Sequence, residues 1–95
     1  MAGSDEVVAR RVVVHGLVQG VFFRDSCRRE ARQRGVGGWV RNRPDGAVEA
    51  VFEGPATTVA EMCRWCEQGP REAVVDRLDI TEQPPSGEAG FHIRT

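Results

Sequence analysis

The chain predicts an α+β sandwich with two helices packed on one face of an antiparallel sheet. Three observations predict it. Short valine-rich runs alternate with two stretches whose apolar residues recur at helical spacing, in the order β-α-β-β-α-β with a short extra strand at the end. Glycine or proline stands at most junctions between those runs. The 95 residues suffice for one domain with one core, and 40% hydrophobic with 28% charged residues is ordinary for a globular protein.

Residues 7–15 are strongly β-branched and predict the first strand. Residues 23–34 predict a helix ended by Gly35, a residue suited to the position just past a helix C-terminus. Its outward side carries Arg28, Arg29, Glu30 and Arg32, which read as a solvated face. Residues 36–43 and 47–53 predict a hairpin around the turn Arg43-Pro44-Asp45-Gly46. In its second strand Val48, Ala50 and Phe52 point one way and Glu49, Val51 and Glu53 the other, so one face is expected to be packed and the other largely open to water. Pro55 opens a second helix, to about residue 68, with Thr57 or Thr58 near its cap and Gly69-Pro70 as its stop. Residues 74–81 predict a fourth strand with Leu78 and Ile80 inward. A loop over 84–90 leads to a short strand over 91–94. This order is that of the split βαβ, ferredoxin-like sandwich, a fold that by itself says little about function.

Residues 14–24 carry the most chemical information. Val14-His15-Gly16-Leu17-Val18-Gln19-Gly20-Val21-Phe22-Phe23 runs from the strand into a glycine-bounded loop, and Arg24 follows where a helix begins. Two glycines free the backbone to curl so that successive N–H groups point into one concavity. The helix N-terminus behind it adds partial positive charge, and the planar fork of Arg24 suits phosphate oxygens. The run therefore reads as a cradle for a small anion. Read plainly, it is a glycine-bounded strand-to-helix connection. It is neither the GxGxxG pattern nor a P-loop, since the glycines are too far apart and no Gly-Lys-Ser/Thr follows.

A second segment weighs for the cradle. Gly38-Trp39-Val40-Arg41-Asn42 ends a strand just before the turn, and Gly46, Val48 and Gly54 follow. Together the two segments resemble the acylphosphatase family. Its members carry an aliphatic-x-Gly-x-Val-Gln-Gly-Val-x-Phe-Arg run. They also carry a Gly-aromatic-Val-basic-Asn-x-x-x-Gly-x-Val run with a further glycine six residues on. Val14, Gly16, Val18, Gln19, Gly20, Val21, Phe23 and Arg24 meet the first, and Gly38 through Asn42, Gly46, Val48 and Gly54 meet the second. The resemblance spans about residues 8–93 and no functional position departs from it. The tail over 1–6 lies outside it and is expected to be disordered.

The resemblance implies hydrolysis of the carboxyl-phosphate bond of acyl phosphates to a carboxylate and inorganic phosphate. By motif position it implies that Arg24 binds the phosphoryl oxygens and that backbone N–H groups of Gln19, Gly20, Val21, Phe22 and Phe23 complete the cradle. It also implies that the Asn42 amide, which both donates and accepts, holds the attacking water. These parts suffice chemically. A carboxylate leaves without a protein acid, and phosphoryl transfer is catalysed mostly by positioning and charge. No side chain nearby is an evident base, so the substrate's own phosphoryl oxygen is the candidate proton acceptor. No metal and no other cofactor is expected, since arginine can supply the charge that Mg²⁺ supplies elsewhere. No pattern marks a deep pocket for the acyl group.

Other readings compete. A domain of this kind can bind phosphate or another anion without turning it over, within a larger enzyme; the free-standing length and the presence of both Arg24 and Asn42 favour the enzyme. An RNA-binding sheet of the same element order needs stacking aromatics on an open basic face, where this hairpin offers Trp39, Glu49 and Glu53. A metal-transfer domain would carry its Cys-x-x-Cys in the first loop, which holds Val18 to Val21 instead.

A net charge of −1 suggests neither a nucleic acid nor a membrane partner. All 13 basic residues are arginine. Met1 to Glu6 shows no apolar leader, and no stretch approaches the roughly 20 apolar residues that span a bilayer, so a cytoplasmic protein is expected. The resemblance, with no apolar seam in the chain, implies a monomer acting on small-molecule acyl phosphates. Cys63 and Cys66 form a Cys-x-x-Cys, but with Val59 and Met62 they fall on one helical stripe, which predicts core packing. Cys27 sits at the same spacing with Phe23 and Ala31. His15 and His92 are expected to be structural or surface residues.

Overall fold

A computed structural model describes residues 5–95. The elements are β1 (Val7–Leu17), α1 (Phe23–Gln33), β2 (Gly37–Asn42), β3 (Val48–Pro55), α2 (Ala56–Cys66), β4 (Val74–Gln83) and β5 (Phe91–Ile93). They form one sheet of order β4-β1-β3-β2-β5. The first four strands pair antiparallel, as the split βαβ order requires, and β5 adds parallel to β2. The sheet is therefore mixed, because the chain leaving β4 crosses to the far edge before pairing again.

Alternation sets the core. Val12 and Val14 of β1 stand opposite Ala50 and Val48 of β3, all fully buried with Phe52 and Val40. Phe23, Cys27 and Ala31 of α1 and Val59, Met62, Cys63 and Cys66 of α2 close over them. Phe23 meets Trp65 edge to face at 5.3 Å, joining the start of α1 to α2. The three cysteines are free and buried, as their spacing predicts. A hydrogen bond with Cys27, together with burial, pushes the Cys66 thiol well up, and burial pushes Cys63 up.

Four expectations need correction. The far side of β3 is covered: Glu49, Val51 and Glu53 are 5%, 3% and 7% exposed. Arg11 and Arg41 both bond the Glu49 carboxylate. The 84–90 loop, on its way from one sheet edge to the other, brings the N–H groups of Ser86, Gly87 and Glu88 onto Glu53 at 2.9, 2.8 and 3.2 Å. Alternation alone cannot show a loop crossing the second face. Ile80 shares the side of Val12 yet is 48% exposed. α2 lies over β1 and β3, and α1 over β2 and β5, so β4 sits at the margin of their cover.

The third correction concerns the α2 cap. Neither Thr57 nor Thr58 caps it, and Pro55 occupies the cap position. The Glu6 carbonyl accepts the Ala56 N–H at 2.9 Å, and Thr57 donates its hydroxyl to Asp5. Asp5 and Glu6 are thus tied to α2, while residues 1–4 of the expected tail lie outside the described residues. The fourth concerns element ends. α2 stops at Cys66, β4 runs on to Gln83, and β1 continues to Leu17 through a register shift at His15/Gly16.

Candidate active site

The register shift in β1 starts the site. Gly16 has φ 130°, and a Cβ there would stand 2.2 Å from the Val74 carbonyl, so only glycine lets β1 bend this close to β4. The chain then curls through Val18 to Phe22. Gly20 takes φ 77° and Phe22 φ 65°, both left-handed. Among the described residues, Gly20, Val21 and Phe22 donate their N–H groups to no backbone carbonyl. The first N–H groups of α1, which begins at Phe23, lack helical acceptors by geometry. The run is thus a concavity of unspent donors at a helix N-terminus.

Asn42 arrives from the other side. It is the last residue of β2, paired with Val48, and its parity with Val40 puts it on the helix-covered face beside this loop. The turn after it is held by Asp45, whose carboxylate accepts the Ala47 N–H at 3.0 Å and pairs with Arg43 at 2.9 Å. Those two bonds, the backbone one foremost, hold the Asp45 carboxyl below its ordinary range.

Gly20, Phe22, Phe23, Arg24 and Asn42 line one pocket of about 360 Å³, with Val18, Asp25 and Ile93. Arg24 is half-buried. The nearest acid in sequence, Asp25, turns to Arg28 at 3.4 Å, and among the described residues Arg24 pairs with no carboxylate. A half-desolvated guanidinium without an internal counter-ion favours an external anion. Of the candidate residues, Gln19 and Val21 are the two that do not line the pocket. Val21 is buried, and Gln19 Nε2 donates to the carbonyls of Arg43 and Ala47 at 2.8 and 2.9 Å. Glutamine in a loop gives no hint of that partner.

Ile93 is a further lining residue that sequence reasoning missed, since it depends on the parallel pairing of β5 with Val40. His15 lies outside the pocket and bonds Asp79 at 2.9 Å, and His92 meets the Ala89 carbonyl. Among the described residues no group of three or more His, Cys, Asp or Glu side chains could hold a metal ion.

Comparison with known proteins matches residues 10–93 to the acylphosphatase family. The chain belongs to the acylphosphatase family. It is 59% identical to an acylphosphatase of Rubrobacter xylanophilus over 88% of this chain and 77% of that one. It is 53% identical to an acylphosphatase of Haloquadratum walsbyi, covering 96% and 98% of the two chains. The crystal structure of acylphosphatase from Bacillus subtilis superposes with a TM-score of 0.90 at 35% identity, covering 93% and 99%. Acylphosphatases thus share this chain's fold over essentially its whole length.

Proposed function

We propose that this chain hydrolyses acyl phosphates by direct, metal-free attack of water. Arg24 and the N–H groups of Gln19, Gly20, Val21, Phe22 and Phe23 hold the phosphoryl oxygens. Asn42 accepts a hydrogen bond from the water and aligns its oxygen with phosphorus. The new P–O bond forms as the bond to the bridging oxygen breaks, and the electron pair leaves on the carboxylate. One water proton stays on the new phosphate and the other passes to a phosphoryl oxygen. The observation that carries this reading is the shared pocket. It joins an arginine and a loop of N–H donors that, among the described residues, have no carboxylate and no backbone acceptor respectively, with one amide that can both donate and accept. Charge complementarity to the phosphoryl group in its transition state is the main contribution of such a site.

Turnover of benzoyl phosphate in excess EDTA tests it. Asn42→Ala should keep inorganic phosphate inhibition and lose turnover on the order of 10²-fold or more. Arg24→Lys should weaken phosphate inhibition as well as turnover, because a point charge lacks the two-pronged fork. Near-normal turnover by Asn42→Ala would remove its assigned role, and loss of activity in EDTA restored by a divalent ion would remove the metal-free mechanism.

The same reading places the protein in the cytoplasm as a monomer without nucleic acid or membrane partners. Three free buried thiols suit a reducing compartment, and Arg11 and Arg41 are spent on Glu49 rather than offered to a polyanion. Among the described residues no helix is long and apolar enough to cross a membrane. Sedimentation at working concentration tests the monomer.

A further inference from the structure

Phe22 holds a conformation that disfavours any residue with a Cβ, and its packing returns little. Its backbone sits at φ 65°, ψ 28°, and it is the one non-glycine residue with positive φ among those described. Phe22 is 72% exposed, although Val21 and Phe23 on either side are buried. A large apolar ring kept in water by a strained backbone points to a use outside the fold.

Phe22 lines the pocket that Arg24 and Asn42 line, and Ile93 and Val18 add apolar lining there. The pocket therefore combines two chemistries, polar groups for the phosphoryl end and an apolar wall beside them. In an acyl phosphate the acyl substituent is joined to phosphorus through only the bridging oxygen and the carbonyl carbon. A phosphoryl group in the cradle thus delivers that substituent into the same pocket. We propose that the Phe22 side chain, with Ile93, forms an acyl-group subsite that selects acyl phosphates with an apolar or aryl acyl group over those with a minimal one. This rests on the hydrolase reading and deepens it. The backbone N–H of Phe22 serves the phosphoryl end while its ring serves the acyl end. The left-handed backbone leaves an exposed side chain at a residue that lines the pocket.

The test compares kcat/KM for benzoyl and acetyl phosphate in the wild type, Phe22→Ala, Phe22→Gly and Ile93→Ala, with inorganic phosphate inhibition as the gauge of the cradle. The benzoyl-to-acetyl ratio should fall on the order of ten-fold in both Phe22 variants, the scale of one lost apolar contact in a half-open pocket, and should fall less in Ile93→Ala. The change should sit in KM for benzoyl phosphate, the signature of binding lost equally from ground and transition states. Alanine keeps the strained backbone and removes the ring, whereas glycine removes both, so equal ratios assign the effect to the ring. Phe22→Gly should also melt higher than Phe22→Ala, since it relieves the left-handed strain. A ratio unchanged in both Phe22 variants, or lowered only in the glycine one, overturns the subsite. A wild type that turns over neither substrate while still binding phosphate overturns the hydrolase reading instead.

Discussion

Gln19 is hydrogen-bonded to the Arg43 carbonyl, its Nε2 donating at 2.8 Å across the gap between the anion loop and the β2–β3 turn. A second bond from the same nitrogen reaches the Ala47 carbonyl at 2.9 Å. One amide thus clamps the segment that supplies the N–H donors to the segment that supplies Asn42. The two halves of the candidate site come from elements distant in sequence, and under the proposed mechanism their spacing sets the alignment of water with phosphorus.

Gln19→Leu should therefore cost turnover more than it costs phosphate affinity. The Arg43 and Ala47 carbonyls keep backbone partners in Gly46 and Arg43, so the stability loss should be about 1 kcal/mol. A kcat reduced on the order of ten-fold with near-native phosphate inhibition would support the clamp. Unchanged kcat would refute it.

Acid should unfold the protein partly through Glu53 and Glu49. Burial raises both carboxyl pKa values, but the three loop N–H groups on Glu53 and the two arginines on Glu49 outweigh it, so both lie below their ordinary range. A depressed folded pKa stabilises the fold above the unfolded value, about 4.3, and that stabilisation is lost as pH falls through the folded value. Glu53→Gln should lower the urea midpoint at neutral pH, and its deficit against wild type should shrink as the pH drops below about 4. A deficit that stays constant with pH would contradict the charge-based account.

Two glycines with positive φ should respond differently to alanine. At Gly38, φ 134°, the added Cβ would stand 1.8 Å from the Val51 carbonyl inside the sheet. Gly38→Ala should cost more than about 3 kcal/mol or prevent folding, since strain and clash add. At Gly20, φ 77°, the Cβ meets nothing within 4 Å, so Gly20→Ala should cost only about 1–2 kcal/mol of left-handed strain. Equal urea midpoints for the two variants would contradict this difference.

The thiols should be silent in the native state. Cys27, Cys63 and Cys66 are buried, and the thiolate that reacts is disfavoured at Cys63 and Cys66. Iodoacetamide should leave the folded protein unlabelled over the time in which the urea-unfolded chain takes up label at every cysteine. Rapid labelling of the folded protein would show a thiol more accessible than its packing allows.

Local signals in the chain determined the element order and pointed to the candidate anion loop and to Arg24 and Asn42 as candidate site residues. Each depends on neighbours a few residues away: β-branched runs, helical spacing, glycines where the backbone must turn left-handed, and two motifs of fixed spacing. The inward face of β3 was legible for the same reason, since alternation is a local property. Tertiary structure alone decided what crosses long sequence separations. It placed the 84–90 loop over Glu53, drew Arg11 and Arg41 onto Glu49, left Ile80 beyond the cover of the helices and tied Glu6 to the start of α2. It also aimed Gln19 at the hairpin and set Ile93 opposite Val40, in the lining of the same pocket as Asn42, through a parallel pairing that no local pattern announces. Side-chain partners of this kind follow from which surfaces meet when the core closes, and that is a property of the whole chain's packing.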